Sequence, residues 1–239
     1  MSKHRSTQLT LNIRLDDSAT FTNFYVGNNQ GLLFALQKML EGVGNSFIYC
    51  WGTAGVGRSH LLQACCHQLS EQGKTAAYVP LSRFRELSPE ILERLEVMSL
   101  VCLDDINAVI GDKNWEAALF HFYNRAFEHP TRLFVSADSP PQQLPGGLPD
   151  LASRLASGLV SQLLPLSDEQ KLAALQLRAQ LRGFNLTDKV GNFLLHHQTR
   201  DFPSLFILLE KLDQASLSQQ KKLTIPFLKT VLSDLSAIE

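Results

Sequence analysis

The chain has 239 residues, 44% of them apolar and 19% charged, with a formal net charge of −1. That is the composition of a folded globular protein of one or two domains. It excludes a protein that binds nucleic acid by bulk phosphate neutralisation, and no apolar run is long enough to span a bilayer.

Residues 1–19 read as a polar, flexible tail. Met1 to Thr7 has no apolar core, so no secretory signal is expected. Within the tail, Leu9, Leu11 and Ile13 alternate in the stretch Gln8 to Ile13. That period fits either a frayed edge strand or a peptide that fills a partner's groove, and pattern does not decide between them. Next, Phe21 to Gly27 is an aromatic cluster, with Phe21 and Phe24 read as core. A helix follows with Leu32, Leu33, Leu36 and Leu40 on one stripe.

Phe47 to Trp51 then reads as a buried strand and Leu61 to Ala64 as a helix. Between them lies Gly52-Thr53-Ala54-Gly55-Val56-Gly57-Arg58-Ser59-His60. Strand, glycine-rich loop and helix make the setting of a P-loop. Glycines let backbone N–H groups turn inward onto phosphates, and the helix start adds partial positive charge. Ser59 stands where a Mg²⁺-binding hydroxyl belongs. Arg58 stands where the motif has Lys. A guanidinium still binds phosphate, but it is wider and fans its donors differently. The expectation is a site that holds a nucleotide and hydrolyses it slowly or not at all. The plainer reading is a strand–helix turn with no ligand.

Lys74 to Val79 is a second strand, and Arg83 to Glu96 reads as loop and helix. Leu100 to Leu103 is a third strand, ending in Asp104 and Asp105, the Walker B pattern. Asp104 would hold the Mg²⁺ hydration shell and Asp105 a water. Alone, the pair would read as a solvated strand cap. Trp115 to Glu128 is a helix with Leu119, Phe122, Tyr123 and Phe127 facing inward. A fourth strand runs from Arg132 to a polar tip at Asp138, and a Pro/Gly loop covers 139–149. Asp150 and Arg154 are one helical turn apart, a spacing that suits a surface ion pair. A last strand covers 159–164. From Ser167 onward there are only helices, near 167–182, 187–198, from 201 and after 224. The four cysteines, Cys50, Cys65, Cys66 and Cys102, have neither a disulfide framework nor zinc spacing, and read as reduced thiols of a cytoplasmic protein. The division is a tail over 1–19, an α/β nucleotide-binding domain over 20–165 with a parallel five-stranded sheet, and a helical lid over 166–239.

Together the P-loop, the Asp-Asp strand tip, the polar-tipped fourth strand and the helical lid resemble an AAA+ ATPase core, across residues 21–239. The finer resemblance is to the DnaA-related branch of that family. Phe21 to Gly27 is similar to the entry segment that lies against the base, which implies base contacts by Tyr25 and Val26. The Arg58 P-loop resembles that of regulatory members of the branch. Gly147 to Leu155 resembles the segment bearing the family's arginine finger, which makes Arg154 a finger acting in trans. Gln8 to Ile13 resembles the peptide that binds the β sliding clamp of DNA polymerase III, through Gln8, Leu9, Leu11 and Ile13, although Asn12 stands where Pro is common. Arg200 falls at the sensor-2 arginine, and Ser136 or Asp138 at sensor 1. Asp105 stands where many AAA+ ATPases have Glu, which weighs against independent hydrolysis.

The resemblance implies a negative regulator of replication initiation. It would bind ADP with Mg²⁺, sit on the clamp and stimulate hydrolysis of DnaA-bound ATP. No DNA-reading domain is recognised after the lid, so no sequence-specific DNA binding is expected. A homodimer could bury the finger surface in a resting form. The alternatives are a self-sufficient AAA+ ATPase and a DnaA adaptor that does not stimulate hydrolysis.

Overall fold

The computed structural model describes residues 15–16, 19–145, 149–197, 202–219 and 224–236. Its strands are β1 (Phe47–Trp51), β2 (Ala76–Pro80), β3 (Leu100–Asp104), β4 (Arg132–Ala137) and β5 (Leu159–Gln162). They form one sheet in the order β2-β3-β4-β1-β5, with every pairing parallel. β3 is buried at all five positions because helices cover both faces.

Side-chain alternation divides the core in two. Phe47 and Tyr49 of β1, with Val101 and Leu103 of β3, point to one face. There they meet α3 (Lys113–Phe127) through Leu119 and Phe122, and α4 (Pro149–Leu155) through Leu151 and Leu155. Ile48, Cys50, Leu100 and Cys102 point to the other face. They meet α1 (Gln30–Glu41) through Leu36 and Leu40, and α2 (Arg58–Glu71) through Leu61, Leu62 and Leu69. All four cysteines are free and buried on this second face. Burial pushes the Cys50 thiol up to about 12, which keeps it protonated and inert.

The lid packs around its own apolar cluster. It contains α5 (Asp168–Leu181), α6 (Asp188–His197), α7 (Phe202–Gln219) and α8 (Ile225–Ser236). Leu175, Ala179, Leu194, Leu209, Leu212 and Leu228 are its most buried residues. α5 opens with a capping box, in which the Ser167 hydroxyl accepts from Gln170 N–H and the Gln170 amide oxygen accepts from Ser167 N–H. Among the described residues, no helix is long and apolar enough to cross a membrane.

Three expectations need correction. The connection after β2 contains no α-helix. It is a series of short 3₁₀ turns at Leu81–Glu86, Pro89–Leu92 and Leu95–Val97. Ser88 is extended before Pro89, and Arg94 takes a left-handed φ of 63°, so no i,i−4 ladder can propagate. Phe127, the last residue of α3, does not face inward but is 71% exposed, its ring stacked at 6.0 Å beside that of Tyr123. The polar start joins the fold sooner than expected. Leu15 packs on the α2 side, Ala19 is buried, and Asp16 N–H donates to Gln63 Oε1 at 2.6 Å. Gln8, Leu9, Leu11 and Ile13 lie outside the described residues.

Candidate functional site

β1 lies between β4 and β5, and the glycine loop leaves its C-terminal end. At Gly52 a Cβ would sit 2.7 Å from the Leu163 carbonyl oxygen, so no side chain fits. Gly57 has φ +107°, and a Cβ there would also meet the Phe24 ring at 2.9 Å. Gly57 is the N-cap of α2 and offers no side chain to the first-turn N–H groups. An uncapped start of a 14-residue helix behind an exposed turn at Thr53, Ala54 and Gly55 is an anion cradle.

Behind the cradle a polar network ties the ends of the strands together. Arg58 is the first residue of α2, and its Nη2 lies 2.9 Å from Asp105 Oδ1. Its side chain is only 10% exposed, and Nη1 is buried without a partner. Asp105 has a left-handed φ of 55°, a strained value for a residue with a Cβ. Its N–H donates to Ser136 Oγ at 2.9 Å, which holds it there. Ser136 spends its one proton on Asp104 Oδ1 at 2.5 Å, and Tyr78 donates to Asp104 Oδ2 at 2.7 Å. Gln63, which already accepts from Asp16, donates to the Tyr78 hydroxyl at 3.4 Å. The Asp105 carboxyl is raised from its ordinary value by burial first, then by the charges of Asp104 and Asp138, with Arg58 opposing.

Asp104 thus accepts one hydroxyl at each oxygen, and each oxygen retains a further lone pair for a water of a Mg²⁺ shell. The carboxylate of Asp105 is engaged by Arg58. Of the two sensor-1 candidates, Ser136 touches both aspartates. Asp138 is exposed, accepts from the Ser139 hydroxyl at 2.9 Å and reaches Asp105 by charge only.

The base side of the loop is joined to the lid. Asn29 clasps the backbone after β5, donating to Leu164 O at 3.1 Å and accepting from Leu164 N at 2.8 Å. That fastens half-buried Tyr25 and Val26 beside the start of the lid, where Gln170 reaches Asn28 at 3.4 Å. Both ring nitrogens of His60 are engaged within the chain. Nε2 lies 2.8 Å from Thr20 O and Nδ1 lies 3.3 Å from Arg178 Nη2 of α5. A carbonyl only accepts and a guanidinium only donates, so the proton sits on Nε2 and the ring is neutral. Arg178 itself lies 4.7 Å over the Phe206 ring, with Nε buried and unpartnered.

Burial, reinforced by the charge of Arg178, pushes His60 down from 6.5 to about 4. The folded state therefore takes up this proton less readily than the unfolded chain. The stabilisation is complete above about pH 6.5, erodes as pH falls, and is gone below about pH 4. That gap of about 2.5 pH units, at about 1.36 kcal/mol each, is about 3 kcal/mol. Chemical denaturation of wild type and His60→Gln at pH 7.5 and pH 4.5 should show the wild type losing more stability by an amount of that order. Parallel losses in both proteins would contradict it.

Arg154 lies elsewhere. α4 docks through Leu151 and Leu155, leaving Arg154 exposed. Its guanidinium lies 5.8 Å from the Tyr123 ring and 6.0 Å from the Phe120 ring of α3. Among the described residues no carboxylate pairs with it, so the Asp150–Arg154 ion pair that the spacing suits is not formed. The chain passes from α4 into β5, whose Leu159 pairs with Ile48 near the start of β1. Arg154 therefore stands near the end of the sheet opposite its own P-loop. Arg200 lies outside the described residues. No local pattern in the sequence points to Tyr78, Asn29 or Arg178.

The sheet order, the P-loop on β1, the paired aspartates on β3 and the helical lid define an AAA+ nucleotide-binding protein. The family profile described as the bacterial DnaA ATPase domain matches residues 15–162, and that described as "Hda, lid domain" matches residues 168–232. The chain belongs to the DnaA-related AAA+ family. Among solved structures it is similar to domain III of the Thermotoga maritima replication initiation protein DnaA. The TM-score is 0.76 at 23% identity, over 93% of this chain and 98% of that one. AMPPCP-bound DnaA from Aquifex aeolicus matches with TM-score 0.69 and 22% identity, over 83% of this chain and 67% of that one. Thermotoga maritima RuvB, a Holliday junction branch migration motor, shares the fold at TM-score 0.64 and 14% identity, over 86% of this chain and 67% of that one.

Proposed function

We propose that this chain is a cytoplasmic negative regulator of replication initiation that acts on DnaA. It binds ADP on the P-loop, docks on the β sliding clamp through Gln8, Leu9, Leu11 and Ile13, and offers Arg154 to ATP held by DnaA. The observation that carries this reading is Arg154, an exposed cation with no carboxylate partner among the described residues, remote from its own P-loop. A guanidinium placed there is out of reach of its own nucleotide. Supplied to a neighbour, it stabilises charge on the transferring phosphoryl group, worth on the order of 10³–10⁵ in rate in finger-activated hydrolysis.

Within this reading, the N–H groups of Gly52 to His60 and the free Nη1 of Arg58 hold the diphosphate, and Tyr25 and Val26 flank the base. Arg200 would serve as the sensor-2 arginine. Mg²⁺, held by Ser59 and through water by Asp104, neutralises phosphate charge. The match to an ATPase-domain profile favours a second reading, a self-sufficient ATPase. The Arg58–Asp105 pair weighs against it, because one oxygen of the carboxylate that would position a water is already held by Arg58. ATP turnover separates the readings. The chain alone should turn over little ATP, while DnaA-bound ATP should be hydrolysed quickly when the chain and DNA-loaded clamp are added together. Comparable turnover by the chain alone would favour the second reading, and no stimulation would favour an adaptor.

A further inference from the structure

We infer that Tyr123 is a positioning residue for Arg154, holding its backbone through a hydroxyl relay and its guanidinium through the ring. The inference rests on the proposed action of Arg154 on a second ATPase's nucleotide.

The carbonyl of Arg154 is one of the last in α4, which has no further helical N–H to pair with. It accepts from Ser157 N at 3.1 Å and from the Ser157 hydroxyl at 2.8 Å. Ser157 has a single hydroxyl proton, and that proton is on the Arg154 carbonyl. The 2.6 Å contact between Ser157 Oγ and Tyr123 Oη must therefore run from tyrosine to serine. The relay is Tyr123 O–H to Ser157 O–H to Arg154 C=O.

The far side of the turn is fixed by packing. A Cβ on Gly158 would sit 2.6 Å from the Phe47 carbonyl oxygen, so backbone meets backbone closely there. Phe47 in turn meets the Tyr123 ring edge-on at 5.5 Å. Leu155 anchors the intervening residue at 2% exposure. The Cα of Arg154 is thereby held to the sheet and to α3, and its long side chain lies over the face of the same Tyr123 ring. Tyr123 is itself 5% exposed and cannot drift. A flexible arginine with several rotatable bonds would otherwise sample many positions, and a reacting geometry lost by about 1 Å can cost on the order of a hundredfold.

The test uses the full chain with DnaA, ATP and DNA-loaded clamp. Tyr123→Phe removes the hydroxyl and keeps the ring, while Ser157→Ala removes the middle of the relay at an exposed position. Each should lower the maximal stimulated rate about tenfold. The chain concentration giving half-maximal stimulation should stay unchanged, and the melting temperature should fall by no more than a few degrees. The double variant should be no worse than either single one, and Ser157→Thr should restore the rate. Full rates in both variants, alongside loss in Arg154→Ala, would overturn the positioning role and leave the finger standing. A shift confined to half-maximal concentration would overturn it too, by making the pair an interface contact. Full stimulation by Arg154→Ala would overturn the finger reading, and this inference with it.

Discussion

Arg154→Ala is expected to abolish most stimulation of DnaA-bound ATP hydrolysis while leaving the protein folded and able to bind nucleotide. The loss should be on the order of 10³-fold or more, the scale of a finger supplied in trans. Stability should barely change. The side chain is exposed, has no ion pair among the described residues, and gains only a ring contact worth about 0.5–1 kcal/mol. Arg154→Lys should rescue poorly, because an ammonium lacks the planar fork that meets two phosphate oxygens at once. Single-turnover hydrolysis of preloaded DnaA, measured beside ADP calorimetry and thermal melting of each variant, separates the effects. An alanine variant that stimulates fully would remove Arg154 from the mechanism.

The second large effect concerns residues 8–13. The combined change Gln8→Ala, Leu9→Ala, Leu11→Ala should weaken clamp binding by roughly a hundredfold or more. Two buried leucines contribute about 1.5–3 kcal/mol each, before the glutamine hydrogen bond is counted. Folding is expected to be unaffected, and among the described residues Leu15 and Ala19 already pack on or within the core. Gel filtration with purified clamp reads the result directly. A triple variant that still comigrates with the clamp would mean that another surface makes the contact.

How legible was the molecule in its sequence? The elements carrying local rules were. The glycines of the P-loop announce backbone conformations that side chains exclude, and the structure places a carbonyl or a ring against Gly52 and Gly57. The apolar run ending in two aspartates became the buried β3. The Ser167 capping box starts a helix where the lid was expected. Features built from distant residues were not legible. Arg58 meets an Asp105 that sits in a left-handed turn and donates its N–H to Ser136 on β4, three residues far apart in the chain. Tyr78 reaches Asp104 through the register of two parallel strands. His60 belongs to the P-loop stretch, yet its ring joins Thr20 to Arg178, which lies 118 residues beyond His60. Phe127 shows the limit of periodicity. It shares the stripe of Leu119 and Tyr123, but at the last position of the helix it is exposed, and periodicity alone does not say which end of a stripe is covered.

The clasped aspartates bear on how long a bound nucleotide would survive. The Asp105 carboxylate, which would position a water to cut a terminal phosphate, already has Oδ1 held by an Arg58 side chain that is nine-tenths covered. On the proposed reading, the guest then departs intact far more often than it is consumed. Occupancy follows the surrounding nucleotide pool and the escape rate, with no record of past turnover. A hydrolysing relative behaves as a timer, whose state depends on when it was last loaded. On the proposed reading this chain would be a gauge, reading the present moment.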